Sequence, residues 1–273
     1  MTRLARGGRR VAGSRAAGGG WRAGVRPAVI RGGRRVAGKT RARAGPVPGD
    51  TEGVSIEAVI FDFDGLLMDT ESTGLASWQW EWRQHGLELD AAAFFADHGG
   101  DVSEERYARL AEAVGSGFSR AASHARRTAY RERLHLDLGL SAGVSDWLDE
   151  ARRLGLRLAV ASSSPGEWVR GHLGRVAALS RFETVAGGDE VARPKPDPGV
   201  YLQALRKLAL PAAAAVAVED TPHGVAAAHA AGLRCIAIPN PHADPGRFGA
   251  ADLVLGSAAE ASLSEALSRC FRI

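Results

Sequence analysis

The sequence predicts an α/β fold: a mostly parallel sheet with helices on both faces, an all-helical insertion, and a basic tail in front. Three observations predict it. Six short, apolar-rich runs recur along the chain, as strands buried on both faces require. Amphipathic helical periods separate them, and strand–helix alternation builds parallel sheets because each crossover returns over one face. One stretch, 71–140, breaks the alternation with helical segments alone.

Residues 1–53 precede the first strand and are built from Arg, Gly and Ala. The first fifty carry a net charge of +12, which leaves −8 on the rest of the chain. Gly7-Gly8-Arg9-Arg10-Val11-Ala12-Gly13 recurs as Gly32-Gly33-Arg34-Arg35-Val36-Ala37-Gly38. Such a segment has too little apolar surface to offset its ordering entropy, so a disordered tail is expected. Its simplest reading is an extension without function. Twin arginines suggest export, but no apolar run follows them, and serine is scarce for a transit peptide. Any nucleic-acid contact would fall to this tail, because an acidic body has no general attraction for a polyanion. No apolar run reaches the ~18 residues of a membrane span. Two cysteines, Cys235 and Cys270, give neither a disulfide framework nor a metal pair, which suits a reducing, cytoplasmic setting.

From residue 54 the elements follow in order. A strand at 58–61 ends in Asp62-Phe63-Asp64-Gly65. Helices are expected at about 71–85, 103–114 and 118–135. Val144, Trp147, Leu148 and Ala151 then mark a helix face, followed by strands at 156–161 and 182–186. Tyr201, Leu202, Leu205 and Leu208 mark another helix, opened by Pro196-Asp197-Pro198 with Asp197 as N-cap. Strands at 215–218, 235–238 and 253–255 complete the pattern, with a helix starting near Pro222. The core is therefore 54–70 with 141–273. Residues 71–140 form a smaller helical domain over the sheet's C-terminal edge, where open α/β sheets bind ligands.

Four places at strand ends carry the chemistry. Asp62 and Asp64, two apart on an extended strand, start on one side of it. Two acids so close repel, so a cation is expected between them, or one holds a proton. Ser162, Ser163 and Ser164 offer hydroxyls and N–H groups ahead of a helix, which suits phosphate oxygens. Lys195 stands in a proline-stiffened loop of a chain with three Lys against 32 Arg, which points to a need for a compact ammonium. Glu219 and Asp220 could complete a site for a hard cation with oxygen ligands, most simply Mg2+.

Taken in order, these residues resemble the motifs of the haloacid dehalogenase superfamily, closest to its β-phosphoglucomutase-like branch. Asp62-Phe63-Asp64-Gly65-Leu66-Leu67-Met68-Asp69-Thr70-Glu71 is similar to the first motif and Ser162 to the second. Lys195 is similar to the third, and Glu219-Asp220 to the fourth. The resemblance covers 54–273. It implies a Rossmann-like core with an α-helical cap, Asp62 as nucleophile forming an aspartyl phosphate, and Asp64 as general acid and base. Ser162 and Lys195 would hold the phosphoryl group. Mg2+ would sit between Asp62, the backbone carbonyl of Asp64 and Asp220, with Glu219 as a further ligand.

Departures from relatives select the reaction. Asp64 is the acid that dehalogenases lack. Residues 71–140 contain no Lys for the Schiff base of a phosphonatase, and Gly74 stands where the sugar-phosphate mutase has a His. The expected enzyme is a Mg2+-dependent phosphatase of a small phosphorylated metabolite, such as a sugar phosphate, because a closing cap excludes large substrates. Rival readings are the mutase and an RNA-associated protein acting through its tail. In the insertion, His98-Gly99-Gly100-Asp101 is the candidate specificity loop. Trp78 and Trp82 should pack the insertion's core, and Trp80, on the opposite face, should line the cleft. His124, His135 and His172 read as surface or packing residues, and His223 as bordering the site.

Overall fold

The computed structural model describes residues 55–96, 103–241 and 243–271. The tail, 1–53, and the candidate loop His98-Gly99-Gly100-Asp101 lie outside the described residues. The chain runs β1 (Ala58–Phe61), α1 (Thr70–Arg83), α2 (Ala91–Ala96), α3 (Ser103–Val114), α4 (Arg120–Leu136), α5 (Val144–Leu154) and β2 (Arg157–Ala161). It continues through α6 (Gly166–Arg175), β3 (Thr184–Ala186), α7 (Gly199–Leu208), β4 (Ala215–Glu219), α8 (Pro222–Ala230), β5 (Arg234–Ala237), β6 (Leu253–Val254) and α9 (Leu263–Phe271). Three elements differ from expectation, one of them α9, a C-terminal helix that the sequence reading does not include. The short α2 went unread; Asp90 opens it by accepting from the N–H of Ala92. The strand expected at 182–186 begins at Thr184, because Phe182 closes a 3-10 turn onto Leu179.

All six strands are parallel, in the order β3-β2-β1-β4-β5-β6. The order of growth reverses at β1, so the C-terminal ends of β1, β2 and β4 meet at a switch point, the usual crevice for ligands. Phe61 pairs with both Val160 and Val218, so the residues just beyond β1 emerge beside the ends of its two neighbours.

Alternation along the strands makes two unlike faces. Val59, Phe61, Val160, Val216, Val218 and Ile236 pack against α5, α6 and α9. The other face is nearly all alanine: Ala58, Ala159, Ala161, Ala186, Ala215, Ala217 and Ala237, covered by α7 and α8 through Tyr201, Leu205 and Val225. Both cysteines are buried thiols in these layers. Across the first layer, Glu150 of α5 caps α9. Its carboxylate accepts from the N–H groups of Leu263 (2.8 Å) and Ser264 (3.3 Å), and from the Ser264 hydroxyl (2.7 Å). These are first-turn donors that the helix cannot satisfy itself.

Helices α1, α2 and α3 share a small core of Leu75, Trp78, Phe94, Phe95, Tyr107 and Leu110, with Trp82 packed against it. Fully buried Glu81 on α1 accepts two bonds from Arg126 on α4, at 3.2 and 2.5 Å. Trp80 does not line the cleft. It stacks on Tyr130, ring centroids 4.6 Å apart and planes 6° from parallel. Of the α1 tryptophans it is Trp78, two residues earlier and on the other face, that lines the cavity. No helix among the described residues is long and apolar enough to cross a membrane.

Candidate active site

The turn after β1 is built around Gly65. It holds φ at +84°, and a Cβ there would lie 2.1 Å from Asp220 Oδ2. Only glycine allows both the left-handed backbone and that approach. Gly65 N–H and Leu67 N–H close the turn onto Met68 and Phe63 carbonyls. The turn sets Asp62 and Asp64 in the lining of a cavity of about 990 Å3. Ser162, Ser163 and Ser164 from the β2 end, Lys195, Asp220 and His223 line the same cavity.

At its floor is a buried charge network. Lys195 Nζ donates to Asp62 Oδ1, to Glu219 Oε1 (2.5 Å) and to the Ala161 carbonyl (2.9 Å). Burial alone would push this ammonium down, but Asp62 and Glu219 outweigh it and hold its pKa above the usual value. Glu219 is fully engaged. Oε1 also accepts from the Tyr201 hydroxyl at 2.6 Å, and Oε2 accepts from Asp220 N–H (3.2 Å) and the Thr221 hydroxyl (3.4 Å). Gly224 makes room for it, since a Cβ there would fall 1.9 Å from the Glu219 carboxylate.

Asp62, Glu219 and Asp220 lie with ligand oxygens within 4.8 Å of one another. Burial pushes the Asp62 carboxyl well above the usual range; Lys195 counters it, while Glu219 and Asp64 add to it. Asp220 is raised by burial and by Asp62, Glu219 and Glu71. Its Oδ2 accepts from Asn240 at 3.4 Å, but its buried Oδ1 has no hydrogen-bond partner. An orphaned carboxylate oxygen beside a second carboxylate fits a small hard cation with oxygen ligands.

The Asp64 carboxylate faces another way. Oδ1 accepts from the Thr70 hydroxyl (2.8 Å) and the Trp168 indole N–H (3.1 Å). Oδ2 accepts from the Ser164 hydroxyl (2.6 Å) and the Ser162 hydroxyl (3.4 Å).

The opposite wall of the cavity comes from the inserted helices and is basic. Arg106, Arg127 and Arg131 line it beside Trp78, Phe94 and Phe95. Arg127 is buried and held by the hydroxyls of Tyr107 (2.9 Å) and Ser77 (3.3 Å). Arg131 Nε is buried without a hydrogen-bond partner. Near its rim, His135 and His172 form a buried pair, Nδ1 to Nε2 at 3.2 Å. Burial lowers both, His135 to about 4, so both are neutral near pH 7. They are packing residues of the interior and not of the surface; His124 bonds the Tyr107 hydroxyl.

Every described residue singled out for chemistry therefore meets at one crevice, with Glu219 behind its wall. Missed in the sequence were Arg127 and Arg131, Thr70, Tyr201 and Trp168. The two arginines carry a readable signal, since i and i+4 share a helix face. Trp168 carries none, because nothing local ties it to β1.

Residues 59–238 match the model of the haloacid dehalogenase-like hydrolase family. Protein CbbY of Rhodobacter capsulatus is 36% identical over 214 residues, 73% of this chain and 92% of that protein. The phosphorylated carbohydrates phosphatase of Thermotoga maritima is 29% identical over 195 residues, 66% of this chain and 84% of its own. Among solved structures, a mutant CbbY of Rhodobacter sphaeroides in complex with xylulose-(1,5)bisphosphate aligns with a TM-score of 0.61 at 33% identity. That alignment covers 77% of this chain and 98% of the other.

Proposed function

The chain belongs to the haloacid dehalogenase-like hydrolases and is a phosphatase; from this footing we propose that it is a Mg2+-dependent phosphomonoesterase acting through an aspartyl phosphate on Asp62. The observation that carries the proposal is the pairing of Asp62 with Lys195 beside the orphaned Oδ1 of Asp220. Asp62 attacks phosphorus while Lys195 and the Ser162–Ser164 hydroxyls and N–H groups receive the phosphoryl oxygens. Asp64 gives a proton to the leaving oxygen and then takes one from the attacking water. Asp62, the Asp64 backbone carbonyl and Asp220 would hold Mg2+, which would supply charge neutralisation for the nucleophile and the phosphate. Glu219, with both oxygens engaged by protein donors, is assigned to holding Lys195.

The inserted helices, 71–140, are assigned as a cap that bounds the substrate. Arg127 and Arg131 face the crevice from that side, and the unpartnered Arg131 Nε suits a second anionic group on the substrate. A phosphorylated sugar with a second phosphate or a carboxylate is therefore the favoured class, and the bisphosphate held by the CbbY relative is of this kind. Gly74 lines the cavity with open space around it, leaving no side chain there to serve a mutase. Buried free thiols suit the cytoplasm.

The test is phosphate release from sugar monophosphates, sugar bisphosphates and phosphorylated acids, with Mg2+ or with chelator, and with Asp62→Asn. Expected are Mg2+-dependent turnover, its loss in the variant, and preference for the doubly anionic esters. Turnover that survives Asp62→Asn would overturn the assignment.

A further inference from the structure

We propose that Trp168 is a positioning residue that dictates which oxygen of Asp64 carries the catalytic proton. The inference rests on Asp64 being the acid and base. Four donors meet its carboxylate, two on each oxygen, and the two pairs differ in kind. Ser162, Ser164 and Thr70 are hydroxyls, which can turn and accept instead. The Trp168 indole N–H only donates. On Oδ1 the Trp168 N–H, 3.1 Å away, closes one direction to a proton and leaves only the one toward Thr70, whereas both directions of Oδ2 face hydroxyls that can accept. The proton therefore favours Oδ2.

The pairs also differ in what substrate does to them. Ser162 and Ser164, which bond Oδ2 at 3.4 and 2.6 Å, are the same hydroxyls assigned to the phosphoryl oxygens. When they turn to a phosphate they leave Oδ2 open, while Thr70 and Trp168 stay on Oδ1. Oδ1 is then the anchored oxygen and Oδ2 the working one. In the first step a bond forms from Asp62 to phosphorus, the bond to the alcohol oxygen breaks, and the Oδ2 proton passes to that oxygen. In the second, water attacks phosphorus, its proton returns to Oδ2, and Asp62 leaves as a carboxylate.

The anchor is firmly seated. The Trp168 ring packs on His172 with centroids 3.9 Å apart and on His135 at 5.3 Å. His172 Nδ1 reaches the Trp168 carbonyl at 3.0 Å, and His135 Nε2 meets the Thr73 hydroxyl at 2.9 Å. Helices α1, α4 and α6 thus converge on the residue that holds Asp64, at the point where the inserted helices rejoin the core.

The experiment compares kcat/KM for a sugar phosphate and for p-nitrophenyl phosphate, whose phenolate leaves with little need of a proton. Trp168→Phe keeps the ring and removes the N–H. It should lower kcat/KM for the sugar ester about tenfold, a part of the roughly 10²–10⁴-fold that a well-placed general acid contributes, and leave the aryl ester within about twofold. Equal losses on both esters would mean a merely structural role and overturn the inference, as would no loss on either. If Trp168→Phe does not fold, Thr70→Val removes the other Oδ1 donor, and an unchanged ratio of the two esters overturns the anchored-oxygen account. Asp64→Asn separates the two failures. Retained turnover of the sugar ester there refutes Asp64 as the acid, whereas its loss, with an unchanged ratio in Trp168→Phe, refutes the role of Trp168 alone.

Discussion

Replacing Lys195 by methionine, close in volume, tests the charge balance of the site. The ammonium is buried and donates to Asp62, Glu219 and the Ala161 carbonyl. Its removal leaves two buried carboxylates facing each other. Breaking a buried ion pair by deleting one partner costs about 3–5 kcal/mol. For a domain of this size that corresponds to a melting temperature lower by roughly 6–20 °C. The loss should depend on pH. The Lys195 pKa is raised on folding, so its stabilisation is fully present below the unfolded value of 10.5 and lost only as pH rises through the folded one. The wild type therefore keeps it throughout pH 5–9. In Lys195→Met the Asp62 carboxyl, already raised by burial, rises further. Both folded states hold a proton that the unfolded chain releases near pH 4, but the variant holds it to higher pH, so its extra penalty accrues as pH rises through the raised wild-type value. Urea unfolding of both proteins at pH 5 and pH 8 measures this. Equal stability of the two at pH 8, or a loss identical at both pH values, would refute the reasoning.

Three other outcomes are expected. Arg131→Ala should raise KM for a doubly anionic sugar ester by about tenfold or more, the worth of one charged hydrogen bond, with p-nitrophenyl phosphate unaffected; steady-state kinetics on both esters decides it. Gly65→Ala should cost about 1–2 kcal/mol for its left-handed backbone and push Asp220 aside, and a Mg2+ titration of activity should show weaker binding. Burial raises the Glu150 carboxyl, but Ser264 and the N–H groups of Leu263 and Ser264 outweigh burial and hold it below the usual range. Its stabilisation is thus present above about pH 4.5 and fades as pH falls through the folded value. Glu150→Gln should therefore lose about 1–3 kcal/mol at pH 7 in urea unfolding, and the two proteins should converge in acid.

Legibility in the sequence followed the range of the forces involved. The strands were readable because continuous apolar runs are local, and β1 falls at 58–61 as read. The Asp62, Ser162, Lys195 and Asp220 positions were readable because a parallel sheet must bring its strand ends to one edge. Helix α2 was missed because its six residues are too few to show a period. Trp80 falls away from the cleft because opposite faces of α1 both carry tryptophan, and only α4 decides which face Trp80 is given to; Tyr130 takes it. The histidines of α4 and α6 are 37 residues apart, and no spacing rule joins residues on separate elements.

The alanine face has a further consequence, for distance. Helix α7 rests on Ala159, Ala161 and Ala186, and the loop ahead of it carries Lys195 to Asp62. Alanine has no rotamers with which to adjust, so the thickness of that layer is a fixed length. A valine at Ala161 or Ala186 would lift α7 and draw the ammonium from its carboxylates, besides an overpacking cost of about 1–3 kcal/mol. The sheet works as a gauge block: side chains that do no chemistry set the spacing of the charges that do.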